Sequence, residues 1–191
     1  MLARPLLLLA TAPGLAPGVA AQTGVGSPPQ TVSIVATKVA SVSVALPAGG
    51  KATLPGSLSS GVNDFTPVPL VTSWDVDPAR TATVSLVAYF GSAPAALAGP
   101  EAAIQTSRVL ARVPTGGPKS FTPFTGAGLA GAGAAAGMPG ASLVLFTQAI
   151  GPDNARGGRT DDLQLRIDLT PPPELPPGSY SGVLNLVAIT Q

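Results

Sequence analysis

Apolar and polar positions alternate with a period of two along most of the chain. Val32, Ile34 and Ala36 interleave with Thr31, Ser33 and Val35, and Val42, Val44 and Leu46 with Ser41 and Ser43. This is the pattern of a strand with one buried face. Pro47 to Gly50 ends it, and residues 51–64 read as a turn-rich connector. A strand is predicted over 68–74, with Pro67 and Pro69 marking a start or an edge, and Asp75 to Pro78 forms a turn. The clearest strand spans 81–90, with Val84, Leu86 and Ala88 on one face and Val87 and Tyr89 on the other. Residues 93–103 read as a small-residue loop, and further strands are predicted over 104–113, 119–124 and 142–150. After a polar loop at 151–158, residues 160–169 place Leu163, Leu165, Ile167 and Leu169 opposite Gln164, Arg166 and Asp168. A proline-rich connector leads to a closing strand over 179–190, with Tyr180, Leu184, Leu186 and Ala188 on one face. No stretch keeps a helical period. Short strands with turn-rich spacers predict an all-β fold: a single antiparallel two-sheet β-sandwich, immunoglobulin-like or pilin-like.

The first 21 residues follow another order. Arg4 precedes the apolar run Leu6 to Ala10, Pro13 and Pro17 break any helix, and Val19, Ala20 and Ala21 supply small residues. That is the order of a secretory signal peptide, cleaved near Ala21. The apolar run is far shorter than the roughly 20 residues of a membrane span, so no span is expected in the mature form. The expected organisation is a signal peptide at 1–21, a flexible leader at 22–30 and the sandwich at 31–191. The Gly/Ala-rich stretch at 125–140 is expected to be a mobile low-complexity loop. It lacks the lysine and Ser/Thr register of a phosphate-binding loop. The expected location is secreted, periplasmic or cell-surface.

Composition narrows the chemistry. The chain has no cysteine and no histidine, which removes lipidation, disulfides, Cys/His zinc sites and histidine-based triads. Gly and Pro together make 45 of 191 residues, about twice the usual share, as short strands with many turns require. Ten basic and nine acidic residues become nine of each once Arg4 leaves with the signal. Such a balance argues against a nucleic-acid partner. The expected partners are other surface proteins or the chain itself. No cofactor and no catalytic residue is assigned.

A few residues carry candidate chemistry. Asp75 and Asp77, with Asp64, offer oxygen ligands for calcium beside Trp74, or simply an acidic turn before Pro78. Asp161 and Asp162, after Asp153 and Asn154, offer a second calcium cluster or acid–base carboxylates for a hydrolase. The plainer reading is loop charge balanced by Arg156 and Arg159. Neighbours on a strand face opposite ways, which disfavours joint action by Asp161 and Asp162. Trp74, Tyr89, Phe90, Phe121, Phe124, Phe146 and Tyr180 could form a sugar-stacking row. Aromatics being only 4% of the chain, they are expected as core anchors.

The run LPPGSYSGVL at 175–184 resembles the last-strand signature of bacterial extracellular β-sandwiches, including spore-coat-U-like and other pilin-type domains and WxL-like surface domains. The mature region, through PLVTSWDVDP at 69–78, residues 84–90 and RTDDLQLRIDL at 159–169, is similar to uncharacterised exported proteins of environmental bacteria. The resemblance implies a sandwich fold and transfers no activity. Spore-coat-U-like pilins usually carry cysteines, which this chain lacks. The expectation is a non-catalytic exported sandwich with a structural, adhesive or assembly role. The alternatives are a glycan- or calcium-binding module, or a pilus-type subunit donating its alternating N-terminal segment to a neighbour's sheet edge.

Overall fold

A computed structural model describes residues 40–191, apart from 48, 80, 81, 132 and 133. The expected signal peptide, the leader and the alternating positions 31–37 lie outside the described residues. Thirteen strands follow one another: β1 (Ser41–Ala45), β2 (Val62–Asp64), β3 (Val68–Asp75), β4 (Ala82–Phe90), β5 (Leu97–Ala98), β6 (Ala103–Ile104), β7 (Val109–Arg112), β8 (Thr122–Pro123), β9 (Leu129–Gly131), β10 (Ala134–Ala136), β11 (Ser142–Ile150), β12 (Arg156–Asp168) and β13 (Leu184–Thr190). The described helical residues form two single 3₁₀ turns, Thr106–Arg108 and Pro152–Asn154.

All strand pairs are antiparallel. The first sheet has the order β1-β3-β12-β7-β8, with β2 also on β12; the second has the order β11-β4-β13. β12 is the spine of the first sheet. Its first half pairs with β3, from Arg156 opposite Asp75 to Leu163 opposite Val68. Its second half is flanked by β2 on one edge and β7 on the other. The two sheets enclose one core, in which Leu70, Val84, Leu86, Ala111, Phe124, Leu145, Leu163 and Ile167 are almost fully buried. The two-sheet antiparallel sandwich expected from the alternation is the observed fold.

The period-two faces fall where the pattern puts them. Leu163, Leu165, Ile167 and Leu169 are buried between the sheets, while Gln164, Arg166 and Asp168 are half-exposed on the opposite face. Several segments differ from expectation: β2 lies in the expected connector at 51–64, β5 pairs with β6 across the expected loop at 93–103, a 3₁₀ turn interrupts the expected strand at 104–113, and the closing strand begins at Leu184 rather than at residue 179. β12 starts at Arg156, inside the expected polar loop, because Gly157 lies opposite Trp74 and leaves room for the indole: a Cβ there would stand 3.1 Å from the ring. The ring covers the glycine, and the indole N–H donates to the Asn154 carbonyl at 2.9 Å.

The Gly/Ala-rich stretch, expected to have almost nothing to pack, instead forms the β9–β10 hairpin. Leu129 and Ala136 pack on Val87 and Ile189, on the face of the second sheet that points away from the main core. The Gln191 side-chain amide donates to the Ala130 carbonyl at 2.7 Å. Small residues carry little periodic signal, yet they let this hairpin lie close to the sheet. Close backbone approach also appears at Gly128, whose φ of +87° favours glycine and whose Cβ position is blocked by the Ala136 carbonyl.

Candidate functional site

The acidic candidates do not gather. Asp75 lies directly opposite Arg156 in the β3–β12 register, and the guanidinium Nη2 donates to its carboxylate at 2.7 Å. Asp77 accepts the Ala79 backbone N–H at 3.0 Å, an Asx turn into the bend. Asp64 pairs with Arg166, ten β12 residues from Arg156, so Asp64 and Asp75 are about 33 Å apart along an extended strand. Asp161 points into the sandwich and is buried, whereas Asp162 is exposed. Asp153 is exposed, and Asn154 uses its side chain to hold the Gly151 N–H at 2.7 Å. Among the described residues no group of three or more acidic side chains stands close enough to hold a metal ion.

Arginines set the electrostatics of these carboxylates. Arg159 and Asp161, two apart on β12, share its inward face and form a two-pronged pair with N···O distances of 2.6 and 2.5 Å. The Arg159 guanidinium also donates to the Thr115 carbonyl and lies 4.0 Å from the centre of the Phe146 ring. Asp161 is therefore part of a buried staple between the sheets, not the loop charge that its neighbourhood suggested. The Arg166 guanidinium beside Asp64 holds that carboxyl below the ordinary carboxylate range, and Asp64 in turn raises Arg166. Asp168 is lowered by hydrogen bonds from Thr170, whose backbone N–H lies 2.9 Å from Oδ1.

Most aromatic candidates are inside. Trp74, Phe90, Phe124 and Phe146 are buried, and the Phe90 and Phe124 rings meet edge to face at 5.0 Å. Phe121 is held between the guanidiniums of Arg112 and Arg166, 4.5 and 3.9 Å from its centre. Tyr180 donates its hydroxyl to the Pro176 carbonyl at 2.9 Å, and its ring fills the space that a side chain at residue 99 would need. Tyr89 is half-buried. These rings form no exposed row.

The feature that sequence reasoning missed is the flank where β1 and β13 lie against each other. They are edge strands of opposite sheets, and no strand pairing joins them. β1 stops opposite Val71, so Val68, Pro69 and Leu70 have a strand partner only in β12. The Gly49 N–H then donates to the Leu46 carbonyl at 3.1 Å, and further on Thr66 donates its N–H to the Thr53 carbonyl at 2.9 Å. Between these closures a crevice of about 440 Å³ opens into the sandwich. Val68, Leu163 and Leu165 wall it from the first sheet, and Phe90, Leu184 and Leu186 from the second. Leu46 and Val183 stand at its mouth, 38% and 74% exposed. Among the described residues Lys51 is the only charged one in its wall.

A second cleft, of about 810 Å³, lies under the proline-rich connector and is lined by residues such as Leu54, Ser59, Pro173 and Pro177. No charged residue lines it. Ala52, Phe65, Leu97 and Tyr180 border both spaces and divide them. Of the LPPGSYSGVL run, Tyr180 belongs to the dividing wall.

No protein-family model, curated protein or solved structure matches the chain. The fold is all-β with two packed antiparallel sheets, and the comparisons add no family to it. No helix among the described residues is long and apolar enough to cross a membrane.

Proposed function

We propose that this chain is an exported, non-catalytic building block that acts through protein contacts made along the β1/β13 flank. The observation that carries this reading is the contrast among the five edge strands of the two main sheets, of which β2 is three residues long and ends in Asp64. β8 is two residues long and ends in Pro123, and β11 is broken by an irregularity between Val144 and Phe146. Short, proline-bearing or bulged edges resist pairing with another chain. β1 reads SVSVA and β13 reads LNLVAIT, with no charge, proline or bulge in either. Among the described residues both edges without such protection thus lie on one flank, beside the exposed Leu46 and Val183. The arginine pairing of Asp64, Asp75 and Asp161 supports a structural use of these carboxylates. The charged, apolar and small-residue order of the first 21 residues supports export to the periplasm, the surface or the outside of the cell.

Sedimentation velocity of the full chain over a concentration series, with cross-linking of the chain in its native compartment, tests the contact role. Association or a cross-linked neighbour that is lost in Ala45→Lys is the expected result. A monomer at every concentration with no cross-linked neighbour would overturn it. Mass spectrometry of the exported protein should find Gln22 at its N-terminus.

A further inference from the structure

We propose that the crevice between the sheets binds a free single-chain amphiphile with an anionic head, of the class of a medium-chain carboxylate. This goes beyond the contact role and stands or falls separately from it.

The interior of the crevice decides the chemistry of the tail. Val68, Phe90, Val109 and Leu163 are each no more than 5% exposed, and Leu165 is 9% exposed. A space walled this way offers water few hydrogen bonds, and apolar cavities of this kind stay dry and take apolar guests. At about 440 Å³ it falls within the size range of small-molecule sites. A polar guest would lose its hydration without finding partners among these side chains. An aliphatic chain loses nothing by entering and covers wall atoms that otherwise lack neighbours.

The mouth decides the head. Val183 and Leu46 are two of the four large hydrophobic residues exposed among the described residues, the others being Val62 and Met138. They extend the apolar surface to the rim, where an entering chain would first be held. Lys51 supplies the only charge of the wall, and no carboxylate pairs with it among the described residues. Its long flexible stem lets the ammonium follow a headgroup that stays in water. An apolar crevice with one cation at its rim selects a tail with one negative end. The larger neighbouring cleft has no charged lining residue and so lacks this selection.

Isothermal titration of the full-length exported chain with dodecanoate tests the assignment. Acetate serves as head without tail, and dodecyltrimethylammonium as tail with the opposite head. Dodecanoate below its micellar concentration is expected to bind as a single equivalent. Acetate should give no heat, and the cationic amphiphile should bind more weakly. Lys51→Glu should weaken dodecanoate about five- to tenfold. Leu184→Trp, which narrows the crevice, should abolish binding. Val183→Asp, at a site already open to solvent, should weaken it with the melting curve unchanged, so a folding defect in the tryptophan variant leaves the test intact. Absence of dodecanoate heat overturns the proposal, as does equal binding by the wild type, Lys51→Glu and Val183→Asp. Capture of the chain by phosphatidylglycerol vesicles without dodecanoate binding would assign the rim to a bilayer surface and also overturn it. So would a concentration-dependent dimer that excludes the amphiphile and persists in its presence. Loss of the contact role in Ala45→Lys with dodecanoate binding intact would overturn only the function proposed above.

Discussion

The two halves of β12 present their inner faces to the same sandwich and solve the same problem differently. Toward Arg156 the space between the sheets is closed by Trp74 over Gly157 and by the Arg159–Asp161 pair against Phe146. Toward Asp168 the inward residues are Leu163, Leu165 and Ile167, and a crevice remains beside Leu163 and Leu165. The first end is filled by groups with fixed directional partners. The second is filled by aliphatic groups that have shape and no direction. Directional partners close a core tightly and tolerate little change, while an aliphatic wall leaves room for substitution and for a guest.

Removing one partner of the staple is the severest way to break this contrast. In Asp161→Ala the Arg159 guanidinium, 15% exposed, keeps its charge without a carboxylate. The expected loss is about 3–5 kcal/mol, read from urea unfolding at pH 7. Replacing both members by apolar residues should restore much of it, because the cost lies in the unpaired charge more than in the lost attraction. A loss below about 1 kcal/mol for the single change would mean that the pair is hydrated and the two ends are alike.

Matched enlargements come next. Gly157→Val puts a side chain against Trp74 at 3.1 Å and should cost about 1–3 kcal/mol. Leu165→Phe adds bulk at the open end, where the ring can extend into the crevice, and should cost less than about 1 kcal/mol. Thermal melts of the two variants decide the matter, and equal losses would remove the distinction. Thr72 offers a change of opposite sign. Its hydroxyl is fully buried opposite Arg159 and has no hydrogen-bond partner among the described residues. Thr72→Val should stabilise by about 1 kcal/mol, seen as a higher urea midpoint with an unchanged slope.

These two ends were unequally legible in the sequence. The aliphatic end was readable, since Leu163 to Leu169 alternate cleanly and a two-residue period fixes which side chains go inside. The staple followed the same rule, for Arg159 and Asp161 share that face, but two glycines and two adjacent aspartates resemble loop chemistry. The strand start there is set by pairing with β3, in which Gly157 lies opposite Trp74. The β9–β10 hairpin was hidden because glycine and alanine give no amphipathic contrast. The crevice was not legible at all. It depends on β1 ending opposite Val71, a matter of register between segments far apart in the chain, and register is written in cross-strand pairs rather than in local pattern.

The exposed arginine pairs supply the smallest and most finely resolved test. Arg166 holds Asp64 in the same two-pronged geometry that Arg159 uses for Asp161, at 2.7 and 3.0 Å, but Asp64 is largely in solvent. Its pair is screened, and at most about 1 kcal/mol is expected from it. Asp64 has a lowered pKa in the folded chain, chiefly through its hydrogen bonds with Arg166. The unfolded chain therefore takes up a proton first as pH falls through the ordinary carboxylate value near 3.9. The contribution is present in full above that value and fades as pH drops through the lower folded value. Asp64→Asn should lower the urea midpoint slightly at pH 7, and the gap to the parent chain should close on acidification. High salt should close it at neutral pH as well, while the Arg166 stack on Phe121 persists in both. A gap that is independent of pH and salt would mean that Asp64 acts through packing. The exposed pair would then belong with the buried staple, and burial would no longer separate the two arginine–aspartate designs of β12.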